Sequence, residues 1–233
     1  MNRTESTIRD HKSYFDREAG DFDAIEKDPG NIKDPIRRLI YRRLLKLHER
    51  NPRLLATLEI AQARHESWDG REVLELGCGH GLYSVEFAKL GARVTAVDYS
   101  APMLAIARKN IDKAGVAGRV TLVQSDIRQV TVPGPFDLIF MTGVTDYLPK
   151  SVLGEIGAYI SRTAGDLVIV SFPPYSVINL GRRVWLRLLK GIKLSYYTRR
   201  EVEAFAAQHG LEVWTLREIR GYYVAGFVKR GAR

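Results

Sequence analysis

The sequence of 233 residues contains a single cysteine, Cys78, and only five histidines. One cysteine excludes an internal disulfide framework and fits a reducing compartment. With so few histidines it also argues against a structural zinc site, so no metal is predicted. No apolar run approaches the roughly 20 residues of a membrane-spanning helix. The first residues, MNRTESTIRDHKSYFD, lack the apolar core of a secretory signal. Together these absences predict a cytoplasmic protein.

Acidic residues are outnumbered by basic ones. The chain has 27 Asp and Glu against 36 Lys and Arg, which gives a formal net charge of +9. An excess of this size favours an anionic partner, such as a nucleic acid, a lipid surface or a phosphorylated substrate. The alternative is a solvated basic surface that has no specific partner.

Short apolar runs alternate with helical patterns along most of the chain. Such an order is typical of an α/β fold with a parallel sheet covered on both faces. The last two runs lie close together and predict an antiparallel strand pair at the end. The predicted strands are Glu72–Leu76, Arg93–Asp98, Val120–Gln124, Phe136–Met141, Asp166–Phe172, Leu211–Leu216 and Tyr222–Val228.

Helices are predicted before and between these strands. Ahead of the sheet lie a short helix around Ser13–Ile25, an amphipathic helix from Pro35 to Lys46, and one that starts at Asn51-Pro52. In the last of these, Leu54, Leu55 and Leu58 are expected to face inward. Ser100 is predicted to cap a helix, and Thr198 with Glu201 forms a capping-box sequence.

The stretch from Val73 to Ser84 reads VLELGCGHGLYS and joins a buried strand to a helix through three glycines. Glycine allows the backbone to approach a ligand closely because no Cβ stands in the way. The start of the following helix offers backbone N–H groups without intrahelical partners. A glycine cluster alone is a weak signal, so its meaning depends on its surroundings.

Two further acids follow strand ends. Asp98 ends the second strand, about 20 residues past the first glycine, where a dinucleotide fold places an acid on a ribose. Asp126 follows the third strand in VQSDI. Each acid alone is compatible with a turn or cap residue. With Glu75 they fall at successive strand ends and predict one ligand site at the carboxyl edge of the sheet.

These motifs in this order resemble the class I S-adenosylmethionine-dependent methyltransferase family. The resemblance rests on ELGCGHG, on VTAVDYS with Met103, on VQSDI and on FDLIFMTGVTDYLP, and it covers roughly Glu72 to Phe172. It implies a Rossmann-like sheet of seven mostly parallel strands with helices on both faces. The last strand is expected to insert beside the fifth, which gives the antiparallel C-terminal pair.

The resemblance also implies the cofactor and its site. S-adenosyl-L-methionine would be bound and S-adenosyl-L-homocysteine released. Glu75 and the Gly77–Gly81 loop would hold the methionine portion, and Asp98 would accept hydrogen bonds from both ribose hydroxyls. The expected cofactor-binding residues are Tyr14, Glu75, Gly77, Cys78, Gly79, Gly81, Asp98, Tyr99, Met103, Asp126, Ile127 and Thr142. His80 has no assigned role and is expected to be an exposed loop residue.

Two other interpretations of these motifs are less well supported. A nicotinamide-binding site shares the glycines and the ribose acid, but the spacing here is G-x-G-x-G and Asp126 would have no role. The sequence FPPY at Phe172–Tyr175 is similar to a motif of amino-methylating enzymes on nucleic acids. In those enzymes the motif follows the fourth strand, whereas here it follows the fifth, so we interpret it as a strand terminator.

Asp146 and Tyr147 follow the fourth strand, where the family faces its methyl acceptor, and are the predicted catalytic residues. Asp146 is expected to act as a base or to orient the acceptor. The alternative is a turn-capping aspartate. Tyr14 and Phe15 resemble the aromatic pair that closes over the cofactor in small-molecule methyltransferases.

The sequence predicts a division into residues 1–68, an N-terminal helical lid with the first flanking helix, and residues 69–233, the cofactor-binding core. Within the core, residues 173–197 form a basic insertion on the substrate side. Its apolar residues Val177, Leu180, Val184, Trp185, Leu188 and Leu189 share one helical face, with arginines elsewhere. Such a helix can lie on an anionic bilayer, cap an acidic substrate, or pack in the core with solvated cations.

The favoured function is methyl transfer to a small molecule, at oxygen, with an acceptor that is hydrophobic, anionic or both. RNA methylation is an alternative motivated by the charge, but no RNA-binding module is visible. A third interpretation is a protein that binds the cofactor or a membrane and has lost catalysis. The sequence does not predict an oligomeric state.

Overall fold

The computed structural model of the chain describes residues 3–27, 51–219 and 221–231. The seven helices in this part are α1 (Arg3–Lys27), α2 (Pro52–Arg64), α3 (Leu82–Lys89), α4 (Ala101–Lys113), α5 (Lys150–Thr163), α6 (Val177–Lys190) and α7 (Arg199–Gln208). The strands are β1 (Glu72–Leu76), β2 (Arg93–Asp98), β3 (Val120–Gln124), β4 (Phe136–Met141), β5 (Ala164–Phe172), β6 (Leu211–Ile219) and β7 (Tyr222–Lys229).

All seven strands form one sheet in the order β3-β2-β1-β4-β5-β7-β6. Strands β1 to β5 pair with one another in parallel, whereas β7 is antiparallel to both β5 and β6. The predicted fold is therefore confirmed, including the insertion of the last strand beside the fifth. Because β1 and β4 occupy the centre and reverse the strand order, their carboxyl ends open at the switch point where α/β sheets bind ligands.

A helical layer covers each face of the sheet. Helices α2, α3 and α4 contribute Ile60, Phe87 and Ile111 to the core on one face. Helices α5 and α7 contribute Ile156 and Phe205 to the core on the other. The central strands are apolar on both faces, as expected for parallel strands buried between two layers.

The helix starts follow the local sequence. The Asn51 side chain accepts a hydrogen bond from the backbone N–H of Arg53, with Pro52 in the first turn. Ser100 caps α4, and Thr198 with Glu201 forms a complete capping box at α7. These three caps confirm the sequence predictions, because a short polar side chain satisfies N–H groups that the helix itself leaves without partners.

Three predictions near the N-terminus need comment. The first helix begins at Arg3, ten residues before the predicted start. Leu55 is 36% exposed rather than inward-facing, because α2 turns Leu54 and Ile60 toward the sheet instead. The predicted helix from Pro35 to Lys46 lies outside the described residues.

None of the helices in the described ranges is long and apolar enough to cross a membrane.

Candidate active site

The glycine loop after β1 is fixed to the neighbouring strand by its backbone. The N–H groups of Gly77 and Cys78 both donate to the Val97 carbonyl, at 2.8 and 3.0 Å. Gly77 has φ +79°, and a Cβ there would lie 2.4 Å from Val144 Cγ2. Gly79 also has a positive φ, +53°, but a Cβ there would meet no protein atom within 4 Å. Only glycine adopts this path without strain, and the loop remains open on the side of Gly79.

Asp98 joins the glycine loop to the start of α4. Its carboxylate accepts hydrogen bonds from the backbone N–H groups of Gly79 and Ser100, at 2.8 and 2.9 Å. The residue is 6% exposed, and burial raises its pKa although these hydrogen bonds oppose the shift. Each oxygen accepts one of the two bonds and keeps a second lone pair. The carboxylate thus fits the two O–H donors of a ribose.

Glu75 lies beneath the loop and is 2% exposed. Its carboxylate accepts a hydrogen bond from the Ser84 hydroxyl at the start of α3. Burial raises the pKa of Glu75 to about 8. Burial also raises the pKa of the adjacent Cys78 thiol, so this cysteine is not an activated nucleophile. Glu75 can therefore gain or lose its proton near neutral pH in response to a nearby charge.

Asp126 is held in place by its neighbour Arg128. The Arg128 side chain donates to both carboxylate oxygens, with the shortest contact at 2.5 Å. Burial favours a higher pKa for Asp126, but these hydrogen bonds outweigh it and the pKa lies below its ordinary value. The carboxylate is thus ionised and lies at the same sheet edge as Asp98. Sequence reasoning did not identify Arg128 as its partner.

Helix α1 lies along this edge. The Ser100 hydroxyl donates to Asp16 at 2.5 Å, and the ring of Phe15 lies 6.4 Å from that of Tyr99. Phe15 also packs edge-to-face against Tyr147, with ring centroids 4.7 Å apart. Tyr14 is 2% exposed. Phe15 therefore lies between Tyr99, a predicted cofactor-binding residue, and Tyr147, a predicted catalytic residue, and Tyr14 packs in one cluster with Tyr147.

The remaining predicted residues lie at the same edge with different degrees of burial. Met103 is buried in the first turn of α4, and Ile127 and Thr142 are half-buried after β3 and β4. His80 is half-buried rather than exposed, because α4 packs on its loop and Asn110 donates to the His80 carbonyl at 2.9 Å. The ionisable side chain of His80 lies close enough to Glu75 to lower the pKa of that acid.

Asp146 forms a buried ion pair with the insertion. Asp146 is 1% exposed, and its Oδ2 accepts a hydrogen bond from Arg182 Nη2 of α6 at 2.7 Å. The same guanidinium donates to the hydroxyls of Tyr147 and Tyr222, each at 2.8 Å. Burial works to lower the pKa of Arg182, but these neighbours outweigh it and hold it above its ordinary value. Burial raises the pKa of Tyr147 well above its ordinary range, so its phenol stays protonated.

The other carboxylate oxygen of Asp146, Oδ1, is buried and has no hydrogen-bond partner among the residues that the structure describes. A buried acceptor left without a donor is costly, and native structures rarely tolerate one without a functional reason. Oδ1 is thus one polar atom of this cluster that can accept a hydrogen bond from a ligand. Both ring nitrogens of the buried His11, whose ring lies 5.8 Å from that of Tyr147, also have no hydrogen-bond partner among the described residues.

Sequence reasoning missed Arg182 and Tyr222. It placed Arg182 off the apolar face of the insertion helix and gave it no partner, whereas the structure turns Arg182 inward with Asn179 and Leu186. The physical cause is the buried carboxylate of Asp146, which requires a cation. These three residues follow an i, i+3, i+7 spacing, but the apolar residues of the opposite face follow a similar one, so spacing alone does not select the packed face.

Comparisons with known proteins agree with the fold. A family model described as a methyltransferase domain matches residues 73–164. A ubiquinone biosynthesis O-methyltransferase of Chromobacterium violaceum is 31% identical over 169 residues, which cover 66% of this chain and 71% of that protein. The cypemycin N-terminal methyltransferase of a Streptomyces species is 41% identical over 87 residues, 37% of this chain and 34% of that protein.

A solved structure shows the fold over nearly the whole chain. The 1,6-didemethyltoxoflavin N1-methyltransferase of Burkholderia thailandensis has a TM-score of 0.72 and 16% identity, with 99% of this chain and 92% of that one covered. Together with the sheet order and the glycine loop, these findings place the chain in the class I S-adenosylmethionine-dependent methyltransferase family. Several curated relatives are matched over only part of their length, from 34% to 56% in four of them.

Glu75 should make the stability of the fold depend on pH. Its pKa is about 8 in the folded chain and near 4.5 when unfolded, so the folded state holds the proton more tightly. Stability is therefore greatest below the unfolded pKa and falls as the pH rises toward 8. We expect a loss of about 1.4 kcal/mol per pH unit in this window from this group. Urea unfolding at several pH values should show this slope in the wild type and a flatter one in Glu75→Gln.

Glu72→Gln is the matched control, since Glu72 lies on the same strand with its side chain 43% exposed and paired with Arg93. It should keep the wild-type slope. Parallel profiles for Glu75→Gln and wild type would contradict a raised pKa at Glu75.

The Arg182–Asp146 pair should contribute strongly to stability. Arg182→Met leaves a buried carboxylate without its cation and should lower the free energy of unfolding by roughly 3 kcal/mol. Adding Asp146→Asn should recover much of this loss, because the uncompensated charge is removed. Arg183→Met, at the exposed neighbouring position, should change stability by less than about 0.5 kcal/mol. Equal effects of Arg182→Met and Arg183→Met in denaturant unfolding would contradict the buried pair.

Proposed function

We propose that this chain transfers a methyl group from S-adenosylmethionine to a small-molecule acceptor, at an oxygen atom. The observation that carries the proposal is the juxtaposition of two sites at one sheet edge. The glycine loop and Asp98 form a cradle suited to a nucleoside, and the Asp146–Arg182 cluster follows the adjacent strand β4. Phe15 contacts aromatic residues of both.

The cofactor would be held by residues that the structure brings to this edge. Asp98 would accept hydrogen bonds from the ribose, while Tyr99 and Met103 would pack on the adenine. Asp126 and Ile127 would meet the edge and face of that base. Glu75, Gly77, Cys78, Gly79 and Gly81 would hold the methionine portion, and Tyr14 and Thr142 would complete the site. When bound, the cofactor supplies a methyl group that its sulfonium charge has already activated.

A cationic group held near Glu75 would favour its ionised carboxylate, because a pKa of about 8 leaves this buried acid partly protonated near neutral pH.

The chain's part in the reaction is to align the acceptor and exclude water. We assign to Asp146 the orientation of the acceptor, because its Oδ1 can accept a hydrogen bond from a hydroxyl. Its partner Arg182 donates a hydrogen bond to the other carboxylate oxygen, Oδ2, and holds the side chain in place. Tyr147 is positioned by the same guanidinium and forms part of the wall around the acceptor.

The acceptor class follows from the character of this cluster. Tyr14, Tyr147, Leu186 and Ile192 pack as one apolar group from α1, the segment after β4 and the insertion, and Lys190 pairs with Glu18 at 2.7 Å across it. An apolar wall beside a guanidinium favours an acceptor that is hydrophobic, anionic or both. In this proposal the N-terminal residues 1–68 and the insertion 173–197 cover the core, residues 69–233, from the acceptor side. The named relatives that act on ubiquinone precursors and on toxoflavin precursors support a small-molecule acceptor by analogy.

Asp98→Asn should abolish cofactor binding. Replacing the carboxylate removes a charged acceptor for two ribose hydroxyls, and each hydrogen bond to a charged group contributes roughly 1.5–3 kcal/mol. We expect the dissociation constant for S-adenosylmethionine, measured by isothermal titration calorimetry, to rise at least about a hundredfold. Asp112→Asn, on the exposed face of α4, should bind as the wild type does. Unchanged affinity in a folded Asp98→Asn variant would contradict the assigned site.

The reaction is tested by following a labelled methyl group. The chain is incubated with methyl-labelled S-adenosylmethionine and a cell extract, which is then divided into solvent-extractable small molecules, nucleic acid and protein. We expect the label in the small-molecule fraction, on an oxygen when the product is analysed by mass spectrometry, and none with Asp98→Asn. Label in RNA would contradict a small-molecule acceptor. Cofactor binding without transfer to any fraction would indicate a chain that has lost catalysis.

A further inference from the structure

Helix α6 has two faces of different character. The inward face presents Asn179, Arg182 and Leu186, and both Asn179 and Leu186 are at most 3% exposed. The Asn179 side chain donates to the carbonyls of Pro174 and Gly221, which fixes the rotation of the helix. The opposite face must then point away from the sheet.

That outward face is apolar. Four large apolar side chains recur there at intervals of three and four residues. Among the described residues they are largely exposed, namely Val177 (88%), Leu180 (57%), Val184 (49%) and Leu188 (77%). With Gly181 and Trp185 they line one continuous apolar surface, and Tyr175 just before the helix is 62% exposed. A contiguous patch of this kind on a folded chain marks an interaction surface.

The sequence around the patch is basic. Between Asp166 and Glu201 the sequence contains no acid and has seven cations, namely Arg182, Arg183, Arg187, Lys190, Lys193, Arg199 and Arg200. Arg182 and Lys190 are paired with Asp146 and Glu18. Arg183 and Arg187 are exposed and fall beside the apolar stripe on the helix. The partner must therefore offer both apolar and anionic groups.

We propose that the outward face of α6 docks on an anionic lipid bilayer. A helix with leucines on one side and arginines along its flank lies in the plane of the interface, with its apolar face in the acyl boundary and its cations at the headgroups. A second copy of the chain fits less well, because it would bring two basic flanks together without acids to neutralise them. Apart from Trp185, which also packs against the apolar group around Tyr147, the docking surface uses side chains that take no part in the proposed reaction, so the two proposals are tested independently.

The test is co-flotation of the full chain with vesicles. One set contains phosphatidylcholine alone, and the other contains phosphatidylcholine with phosphatidylglycerol. We expect binding to the anionic vesicles, at least about tenfold weaker binding to the neutral ones, and weakening as salt is raised. Absence of binding to either vesicle, or equal binding to both, would overturn the proposal.

Variants separate the two contributions. Leu180→Ser with Leu188→Ser should lower vesicle partitioning at least about tenfold, because two large apolar side chains no longer enter the acyl boundary. Leu55→Ser, at a 36% exposed leucine on α2, is the matched control and should bind as the wild type does. Arg183→Glu with Arg187→Glu should lower partitioning by at least about tenfold on anionic vesicles. Arg108→Glu with Lys109→Glu is the matched control, because it makes the same change of net charge at exposed positions of α4.

Partitioning that falls equally in the controls would show that only net charge and general hydrophobicity matter, and would overturn the assignment to α6. Sedimentation velocity tests whether a second copy of the chain occupies this face instead. A wild-type dimer that Leu180→Ser with Leu188→Ser converts to a monomer would assign this face to self-association instead of lipid.

Discussion

The carboxylate of Asp98 holds the candidate site together. It accepts hydrogen bonds from one glycine of the loop after β1 and from the residue that caps α4, so it ties two turns on neighbouring strands into one surface. The parallel register that pairs Leu76 with Val97 brings these turns side by side. Together with the backbone hydrogen bonds from Gly77 and Cys78 to Val97, the hydrogen bonds to Asp98 preorganise the glycine loop.

A second interaction, the ion pair of Arg182 with Asp146, connects this surface to the insertion helix α6. The pair lies between the segment after β4 and the insertion helix, and the aromatic residues of α1 pack against the same segment. A buried ion pair is not an efficient source of stability, because both groups lose their hydration. Its value here lies in fixing the rotation of α6. That rotation decides which residues of α6 face the Asp146 cluster and which point away from the sheet.

Much of the fold could be predicted from the sequence because the central strands are short, apolar and bounded by turns. β1 to β4 match the predicted bounds, and the caps at Asn51, Ser100 and Thr198 follow from local chemistry. The orientation of α6 could not be predicted in the same way. Both of its faces carry leucines, so hydrophobic spacing alone cannot say which one is packed. The partner of Asp146 is 36 residues away in sequence, and only the tertiary fold reveals it.

The contacts of α1 with the sheet edge were also beyond local reasoning. The start of α1 at Arg3 and its contact through Asp16 with Ser100 depend on packing rather than on the turn signals of the N-terminal segment. The division of the chain into lid, core and insertion stays a prediction. The roles of the site residues also stay predictions.

The central claim is that carboxylates at successive strand ends hold an adenosyl group at this edge of the sheet. A crystal structure with S-adenosylhomocysteine tests it most directly. The account predicts both ribose hydroxyls within about 3.2 Å of the Asp98 carboxylate oxygens, with the homocysteine portion over the glycine loop. A nucleoside bound at any other surface, or one whose ribose makes no contact with Asp98, would contradict it.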